Sequence, residues 1–284
     1  MIEPARLVRA SARRLTAWMS GLSPAAERCA VCGVATHQRQ QQVLWPALIE
    51  TWELSPAEVD WVDDWEGRQC LWCGASRRSH YLAATICHAA RAWLGSSAGS
   101  LRTLCRDSRF RQLEIAEINS AGSLHRYLRR CPHLRYSEFN STSPAVPHED
   151  LSNLSYPDQS LDLVITSETL EHVPDVDRAL AEIRRTLKPE GRHIFTTPVC
   201  WERQTRQRAA SKNGDLIHLL PPSYHGSSDH AAHDFLVVYE FGADFVDRCR
   251  RAGFGVEVMR HPVNPMGTAF VTWPSEPASL VSRF

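Results

Sequence analysis

The sequence predicts an α/β fold in which a doubly wound, mostly parallel sheet follows a small metal-binding module. From residue 101 onward, apolar runs alternate with amphipathic segments of helical period, as expected for strands joined by crossover helices. Before that point, two C-x-x-C-G pairs stand at a spacing that suits metal ligands. The stretch GSSAGS at 95–100 separates the two patterns and is the expected linker.

The composition limits the classes of function that fit. The chain has 284 residues, of which 43% are hydrophobic and 23% charged, enough for one large and one small domain. Its 32 basic and 32 acidic side chains give a net charge of zero, which makes nucleic acid and anionic membranes unfavoured partners. No apolar run approaches the roughly 18 residues of a membrane span.

The first segment, residues 1–22, combines several arginines with an apolar background. We predict an amphipathic N-terminal helix that packs on the body, and a transit peptide is the alternative. The arginines are Arg6, Arg9, Arg13 and Arg14. Paired cysteines at metal-ligand spacing indicate a reducing compartment, so we expect a cytoplasmic protein.

The second segment, residues 23–100, is predicted to be a four-cysteine zinc module with a helical insertion and a linker. The knuckles CAVCG and CLWCG supply Cys29, Cys32, Cys70 and Cys73, and four thiolates suit a tetrahedral, structural Zn²⁺. A redox dithiol and four free core cysteines are the alternatives. The other cysteines have no partner spacing and are expected in the core.

Two helices are predicted inside this module. Ser55 and Glu58 form a capping box for a short helix at 56–64, and a longer helix runs from about Ser76 to Leu94. The insertion helix would fill the 37 residues between the two cysteine pairs.

The third segment, 101–284, holds the predicted sheet. Its strand candidates are RQLEIA, LRYSEF, LDLVITSE, GRHIFTTP and GVEVMRH, with AFVTW as a last, antiparallel edge strand. Its helix candidates are SLHRYLRR, VDRALAEIRRTL and GADFVDRCRRA. LEIAEINSAGSLHRYL reads as a strand, a loop and a helix, the place where α/β enzymes hold a nucleotide-like cofactor, but its loop has only one glycine, Gly122.

The stretch from 148 to 198 carries a family resemblance. Its segments LDLVITSE, LEHV and LKPEG resemble the second half of class I S-adenosylmethionine-dependent methyltransferases of the type 11 kind. The resemblance implies a Rossmann-like, seven-stranded sheet over residues 101–284 and S-adenosylmethionine as cofactor. Ser155 replaces an expected proline and Glu190 an expected glycine. The segment NSTSPAVPH replaces a helix that the family usually has, and we expect an irregular loop there.

The resemblance also assigns roles to single residues. It places Asp150 and Leu151 beside the adenine, and Glu138 on the ribose hydroxyls. Ser167 and Glu168 end the strand where the methyl group would face the acceptor. In the first loop Glu114 keeps the family's acid and Ala116 replaces the first glycine. Asn119 and Gly122 stand in this loop in place of the usual glycines and would border the methionine portion of the cofactor. For each acid, the alternative is a solvated loop residue.

A narrower resemblance covers the whole chain. EGRQCLWCGASRR and PPSYHG look like segments of bacterial methyltransferase-like proteins that join such a cysteine module to a glycine-poor methyltransferase domain.

The acceptor side is predicted at 218–235, after the fifth strand. His225 is the first candidate for a general base, with His172 and Tyr224 behind it. His230, His233 and Asp234 are close enough in sequence for a second metal site, and a solvated histidine-rich loop is the third reading. The basic stretch 201–212 either contacts an acidic substrate or faces water.

The sequence therefore predicts methyl transfer from S-adenosylmethionine to an oxygen or nitrogen of a small-molecule acceptor, such as a natural product or a glycan-like compound. The alternatives are a cofactor-binding protein with a non-methylating or non-catalytic role, and an RNA methyltransferase. The acceptor, the methylated atom and the oligomeric state are not predicted.

Overall fold

The computed structural model describes residues 26–141, 143–212, 215–224 and 235–275. The chain divides into two compact units. The first consists of Met1–Gln112, Ala121–Pro132 and Arg260–Gly267, and the second of Leu113–Ser120, His133–Met259 and Thr268–Phe284. The predicted helix at 1–22 lies outside the described residues, as do His225, His230, His233 and Asp234. In the described ranges, no helix is long and apolar enough to cross a bilayer.

Two small antiparallel strand pairs open the first unit. The strands are β1 Glu27–Arg28, β2 Ala35–Thr36, β3 Gln38–Arg39 and β4 Gln69–Cys70. β1 pairs with β2, and β3 with β4. Each pair leads into one of the C-x-x-C turns, so the strands fix where the thiols point.

Helices make up most of the rest of this unit. They are α1 Pro46–Thr51, α2 Pro56–Val62, α3 Arg77–Leu94, α4 Leu101–Leu104 and α5 His125–Leu128. The predicted capping box is confirmed, because the Ser55 side chain accepts from the Glu58 N–H while the Glu58 carboxylate accepts from the Ser55 N–H. The predicted helix at 76–94 is also confirmed, with Ser76 as its N-cap and Gly95 in the left-handed conformation at its end.

Residues 95–100 lie within this unit, where Gly95, Ser97 and Gly99 are exposed. Ser96 and Ser100 are buried, and their hydroxyls bond to Asp107 and cap α4 respectively. The compact unit continues beyond them to Gln112.

The segment Arg260–Gly267 joins the first unit through side-chain contacts. The Asn264 amide donates to the Trp61 carbonyl oxygen at 2.9 Å and to the Asp64 carboxylate at 3.0 Å. The His261 ring meets the Trp65 and Tyr81 rings edge to face, with centroids 6.1 and 5.4 Å away. These contacts hold the segment against the insertion helix and α3.

Two of the remaining cysteines are paired by a thiol hydrogen bond. Cys105 and Cys131 are both buried, and the bond to Cys131 raises the pKa of the Cys105 thiol. Their expected place in the core is confirmed, but the sequence spacing did not reveal the pair.

A six-stranded sheet forms the centre of the second unit. Its strands are β5 Ile115–Ile118, β6 Leu134–Ser137, β7 Leu161–Ser167, β8 Leu187–Thr196, β14 Phe254–Arg260 and β15 Thr268–Pro274. Their spatial order is β14-β15-β8-β7-β5-β6. β6, β5, β7 and β8 run parallel, which confirms the α/β class and the mostly parallel sheet.

Two details of the sheet differ from the prediction. The described sheet has six strands where seven were expected. AFVTW forms the antiparallel strand β15 as predicted, but β15 lies between β14 and β8 and is not at the edge. Phe270 of β15 is fully buried and stacks on Phe195 of β8, so the apolar side chains of AFVTW need an interior position.

The crossover helices are α6 Val176–Thr186 and α7 Phe245–Arg251. Asp175 caps α6 by accepting from the Arg178 N–H at 3.0 Å. The core between sheet and helices is aromatic, with Phe245 of α7 set edge to face against Phe195 and Phe270.

Shorter strands complete the second unit. They are β9 Val199–Cys200, β10 Arg206–Gln207, β11 Ala209–Lys212, β12 Asp215–His218 and β13 Tyr239–Gly242. β13 pairs with β9 on one side and β10 on the other, while β11 and β12 form a hairpin. The described part of 138–149 contains no helix, which confirms the irregular loop predicted there.

Candidate functional site

The four predicted zinc ligands come together in the first unit. The two C-x-x-C turns have matching backbones: the Gly33 N–H donates to the Cys29 carbonyl oxygen at 2.7 Å, and the Gly74 N–H to that of Cys70 at 2.8 Å. Both glycines are left-handed, with φ of 78° and 74°, a conformation that costs glycine little. The glycine after each second cysteine is therefore required by the turn.

The thiol geometry fits a tetrahedral metal. The four sulfur atoms lie within 4.8 Å of one another, with 3.8 Å between Cys29 and Cys73 and 3.9 Å between Cys32 and Cys70. Sulfurs around Zn²⁺ at about 2.3 Å would be about 3.8 Å apart. Three of the cysteines are buried and Cys73 is half-buried. A metal held here would have a closed shell of four protein ligands and no position for substrate.

The carboxyl edge of the parallel sheet is the candidate cofactor site in the second unit. Ile118 is in register with Ser137, Glu117 with Ile165, and Ser167 with Thr196. The register therefore sets four polar side chains side by side on adjacent strands, with neighbours about 4.8 Å apart. They are Glu138, Asn119, Ser167 and Thr196. Open α/β sheets bind ligands at this edge.

Two residues at this edge have left-handed backbones without being glycine. Asn119 follows β5 with φ of 58°, and Glu168 follows β7 with φ of 48°. Asparagine adopts this conformation more readily than most residues. Its side chain also fixes the turn, since Asn119 Oδ1 accepts from the Phe139 N–H at 2.9 Å and its own N–H donates to the Ser137 carbonyl oxygen at 2.9 Å. Asn119 thus makes the tight turn for which the usual loop has glycine.

The predicted end of the first strand is wrong. β5 runs through Ile118, beyond Glu114 and Ala116. Glu114 precedes the strand and pairs with Arg135 at 2.9 Å, at the end of the sheet opposite to its carboxyl edge. Ala116 is fully buried in mid-strand. The acid near the carboxyl end is Glu117, which is fully buried. Its position within the apolar run IAEI is the signal that the sequence offered, because a carboxylate is rarely buried without a partner or a function.

Glu138 lies at the end of β6, as predicted. Its carboxylate accepts from the Tyr136 hydroxyl. Burial raises the pKa of Tyr136, and the Glu138 charge raises it further, so the hydroxyl stays protonated as a donor. The Glu138 N–H donates to the Pro147 carbonyl oxygen, and its own carbonyl oxygen accepts from the Glu149 N–H at 3.2 Å. Glu138 is therefore tied to the segment that leads to Asp150.

Asp150 and Leu151 lie in that segment. One carboxylate oxygen of Asp150 accepts from the Ser152 N–H at 2.8 Å, while Leu151 is buried in the core. Glu149, which the sequence pattern did not single out, is buried and accepts from the N–H of Ser155 at 3.0 Å and from its hydroxyl. Ser155, at the position where the family has proline, therefore donates two hydrogen bonds to Glu149.

Ser167 and Thr196 meet across β7 and β8. Their hydroxyl oxygens are 3.1 Å apart, and the Glu168 N–H donates to the Thr196 carbonyl oxygen at 3.0 Å. Next to them, the Thr197 hydroxyl donates to the buried carboxylate of Glu171 at 2.9 Å. These bonds fix the end of β7, where Ser167 and Glu168 were predicted.

His172 has a polar neighbour at each ring nitrogen, and its Nε2 lies 3.8 Å from the Glu171 carboxylate. Its Nδ1 lies 2.8 Å from the Leu236 carbonyl oxygen, an acceptor, so Nδ1 carries the proton and Nε2 the basic lone pair. Burial lowers the pKa of His172. Tyr224, another base candidate, forms an isolated β-bridge with Leu236. His172 and Tyr224 therefore both contact the backbone of Leu236.

Gly122 belongs to the first unit and is left-handed, with φ of 61°. A Cβ there would lie 3.3 Å from the Ser79 hydroxyl oxygen of α3. Its conformation and this close approach both favour glycine.

A doubly wound sheet with acids and left-handed turns at its carboxyl edge defines a class of cofactor-binding α/β domain. Residues 95–195 match the family model described as Methyltransferase domain. This part of the chain is therefore similar to a methyltransferase domain, and the resemblance predicted from the sequence is confirmed at the level of that domain.

Two curated relatives share the printed name Malonyl-[acyl-carrier protein] O-methyltransferase. The protein from Halorhodospira halophila is 36% identical over 106 residues, which cover 37% of this chain and 33% of the relative. That from Laribacter hongkongensis is 28% identical over 169 residues, which cover 58% of this chain and 49% of the relative. The chain spans only a third to a half of the length of these relatives.

Among solved structures, an S-adenosylmethionine-dependent methyltransferase from Mesorhizobium loti aligns with a TM-score of 0.39 and 16% identity. The alignment covers 56% of this chain and 89% of that one.

Proposed function

We propose that the chain transfers a methyl group from S-adenosylmethionine to an oxygen or nitrogen nucleophile of a small-molecule acceptor. The observation that carries the proposal is the row of Glu138, Asn119 and Ser167 at the carboxyl edge of the sheet, next to Thr196. Fixed turns and acceptor oxygens suit a ligand with a ribose and an amino acid portion.

The residues of this edge fit the cofactor. S-adenosylmethionine, when bound, supplies a methyl group on a cationic sulfur. Glu138 would accept from the ribose hydroxyls, and Asp150, beside Leu151, from the adenine amino group with the oxygen that Ser152 leaves unused. We assign the methionine side to Glu117 and Asn119 in place of Glu114 and Ala116, because Glu114 lies at the opposite end of β5. Ser167 and Glu168 would border the methyl group.

For the acceptor we favour an oxygen nucleophile, because both curated relatives are named as O-methyltransferases. His172 is the described residue best suited to remove a proton, since burial keeps it neutral and leaves the lone pair on Nε2. His225 and Tyr224 stay secondary candidates, and the second metal site at His230, His233 and Asp234 stays a prediction.

The four-cysteine cluster would hold a structural Zn²⁺. Sulfur spacings of 3.8 and 3.9 Å support this assignment, and a closed thiolate shell has no role in methyl transfer. The metal would stabilise the first unit by linking its two knuckles, and its thiols need the reducing conditions of the cytoplasm.

Calorimetric titration with S-adenosylmethionine and S-adenosylhomocysteine tests the proposal. Both should bind, and Glu138→Gln should weaken binding by roughly tenfold or more because a charged acceptor is lost. Glu190→Gln is the matched control, since Glu190 is exposed near the start of β8, six residues before Thr196. If neither compound binds the native protein, the proposal is wrong; if both bind and no acceptor is methylated, the non-methylating role gains support.

A further inference from the structure

Three arginines converge on one carboxylate in the second unit. Glu240 of β13 lies 3.1 Å from the Arg203 guanidinium and 3.6 Å from Arg206, and it also pairs closely with Arg208. Arg206 stands directly across from Glu240 in the β10–β13 pair. We call Arg203, Arg206 and Arg208 the arginine cluster.

The charge of this cluster is unbalanced. Three guanidinium groups carry three positive charges and Glu240 carries one negative charge, so two positive charges remain. Arg203 and Arg206 are 43% and 50% exposed, whereas Arg208 and Glu240 are 14% and 21% exposed. Glu240 is thus a less exposed partner that holds the three guanidinium groups together. The guanidinium groups of Arg203 and Arg206 remain accessible to solvent.

Arg208 has unused donor capacity. Its Nη2 donates to the Pro221 carbonyl oxygen at 2.5 Å, and its Nη1 to Glu240. Its Nε is buried, and within the described ranges no acceptor bonds to it. Buried donors normally have an acceptor, which an oxyanion ligand would supply here.

The loop that carries the cluster is held rigidly. A Cβ on Gly242 would lie 2.2 Å from the Arg203 carbonyl oxygen, so the loop packs directly on the glycine backbone. The Gly242 N–H donates to the Thr205 hydroxyl oxygen at 3.0 Å, and Thr205 in turn donates to Asp244 from both its N–H and its hydroxyl. The cluster is therefore preorganised, which lowers the entropic cost of binding a ligand.

The position along the chain relates this cluster to the proposed site. Arg203 follows Thr197, at the carboxyl end of β8, by six residues, a path of at most about 20 Å. One extended small molecule can therefore reach both places.

We propose that the arginine cluster is a subsite for a doubly charged oxyanion, namely a phosphate ester carried by the methyl acceptor. A phosphate monoester has a charge of about −2 and three acceptor oxygens, which matches the excess charge and the guanidinium forks. The part that concerns the acceptor rests on the proposed methyl transfer, whereas oxyanion binding does not.

The test is calorimetric titration of the full chain with inorganic phosphate and, separately, with phosphoserine. The double variant Arg203→Gln, Arg206→Gln should lose roughly tenfold or more in affinity for both probes. Arg250→Gln is the matched control, because Arg250 is 60% exposed and pairs with Asp247 on α7. Glu240→Gln should tighten binding, since it removes the competing carboxylate.

Equal affinity in the native protein and the double variant, or no phosphate binding at all, overturns the subsite. Phosphoserine binding no weaker than phosphate binding supports an ester ligand, while binding of free phosphate alone overturns that part. A parallel S-adenosylmethionine titration separates the two proposals: cofactor binding without phosphate binding refutes only the subsite, and the reverse refutes only its link to methyl transfer.

Discussion

Asn119 provides the sharpest test of the cofactor edge, because its backbone and side-chain contributions can be separated. Its φ of 58° would suit glycine, and its Oδ1 accepts from the Phe139 N–H at 2.9 Å. Asn119→Gly keeps the conformation and loses the hydrogen bond. Asn119→Ala loses the hydrogen bond and also places a residue in the left-handed region that tolerates it poorly.

The magnitudes follow from these two terms. The hydrogen bond lies at the surface and contributes about 0.5–1 kcal/mol, while left-handed backbone costs an ordinary residue about 1 kcal/mol more than glycine. We expect Asn119→Ala to lower the free energy of unfolding by about 1–2 kcal/mol. We expect Asn119→Gly to change it by less than about 0.5 kcal/mol, because relief of strain offsets the lost bond.

Urea unfolding and calorimetric titration with S-adenosylhomocysteine measure both effects. If the turn at Asn119 borders the amino acid portion of the cofactor, Asn119→Ala should weaken S-adenosylhomocysteine binding by up to about tenfold. Asn119→Gly should weaken it by less than about threefold. Gln159→Gly is the control for strain alone, since Gln159 has φ of 50° in a distant turn and should leave cofactor affinity unchanged. Equal losses in the alanine and glycine variants would refute the idea that backbone conformation at Asn119 matters.

Three further predictions concern the metal, acid stability and backbone packing. Metal analysis should find one zinc per chain, lost in Cys70→Ser and kept in Cys200→Ser; equal zinc in both would contradict the cluster. Burial lowers the pKa of His193 to about 3, below the roughly 6.5 of the unfolded chain. Stability should therefore be full above pH 6.5 and fall by about 2 kcal/mol between about pH 6.5 and 5, as the unfolded state gains a proton that the folded state excludes. His193→Gln should flatten this pH dependence of urea unfolding, and an unchanged slope would contradict the assignment. Gly242→Ala should lower the free energy of unfolding by about 2 kcal/mol, because its Cβ overlaps backbone atoms. Gly99→Ala, which meets nothing within 4 Å, should change it little, and equal effects would rule out the overlap as the cause.

Features set by nearby residues were predicted well. The C-x-x-C turns, the Ser55–Glu58 capping box and the helix at 76–94 depend on contacts within a few residues, and the structure confirms each. Glu138 and Asp150 were chosen from the family resemblance, and their roles at the cofactor stay predictions. Local pattern sufficed for these features because strand ends and caps are encoded where they occur.

Features set by strand pairing were not predictable in this way. Glu114 and Glu117 are both acids in one apolar run, and only the pairing of β5 with β6 and β7 decides which of them lies near the carboxyl edge of the sheet. The interior place of β15 depends on its pairing with β8. The arginine cluster requires Glu240, which is more than 30 residues beyond Arg208 in the chain.

The first unit combines segments that lie far apart in the chain, and this affects how it forms during synthesis. Its knuckles are complete once Cys73 has been made, but Asn264 and His261, which contact the insertion helix and α3, are made near the end of the chain. On the ribosome, the thiol cluster can therefore form early, while the unit around it closes only after five of the six sheet strands have been translated. A nascent chain would spend that interval with its metal ligands assembled and the ring of Trp65 without its later neighbour, an intermediate that chaperones can recognise.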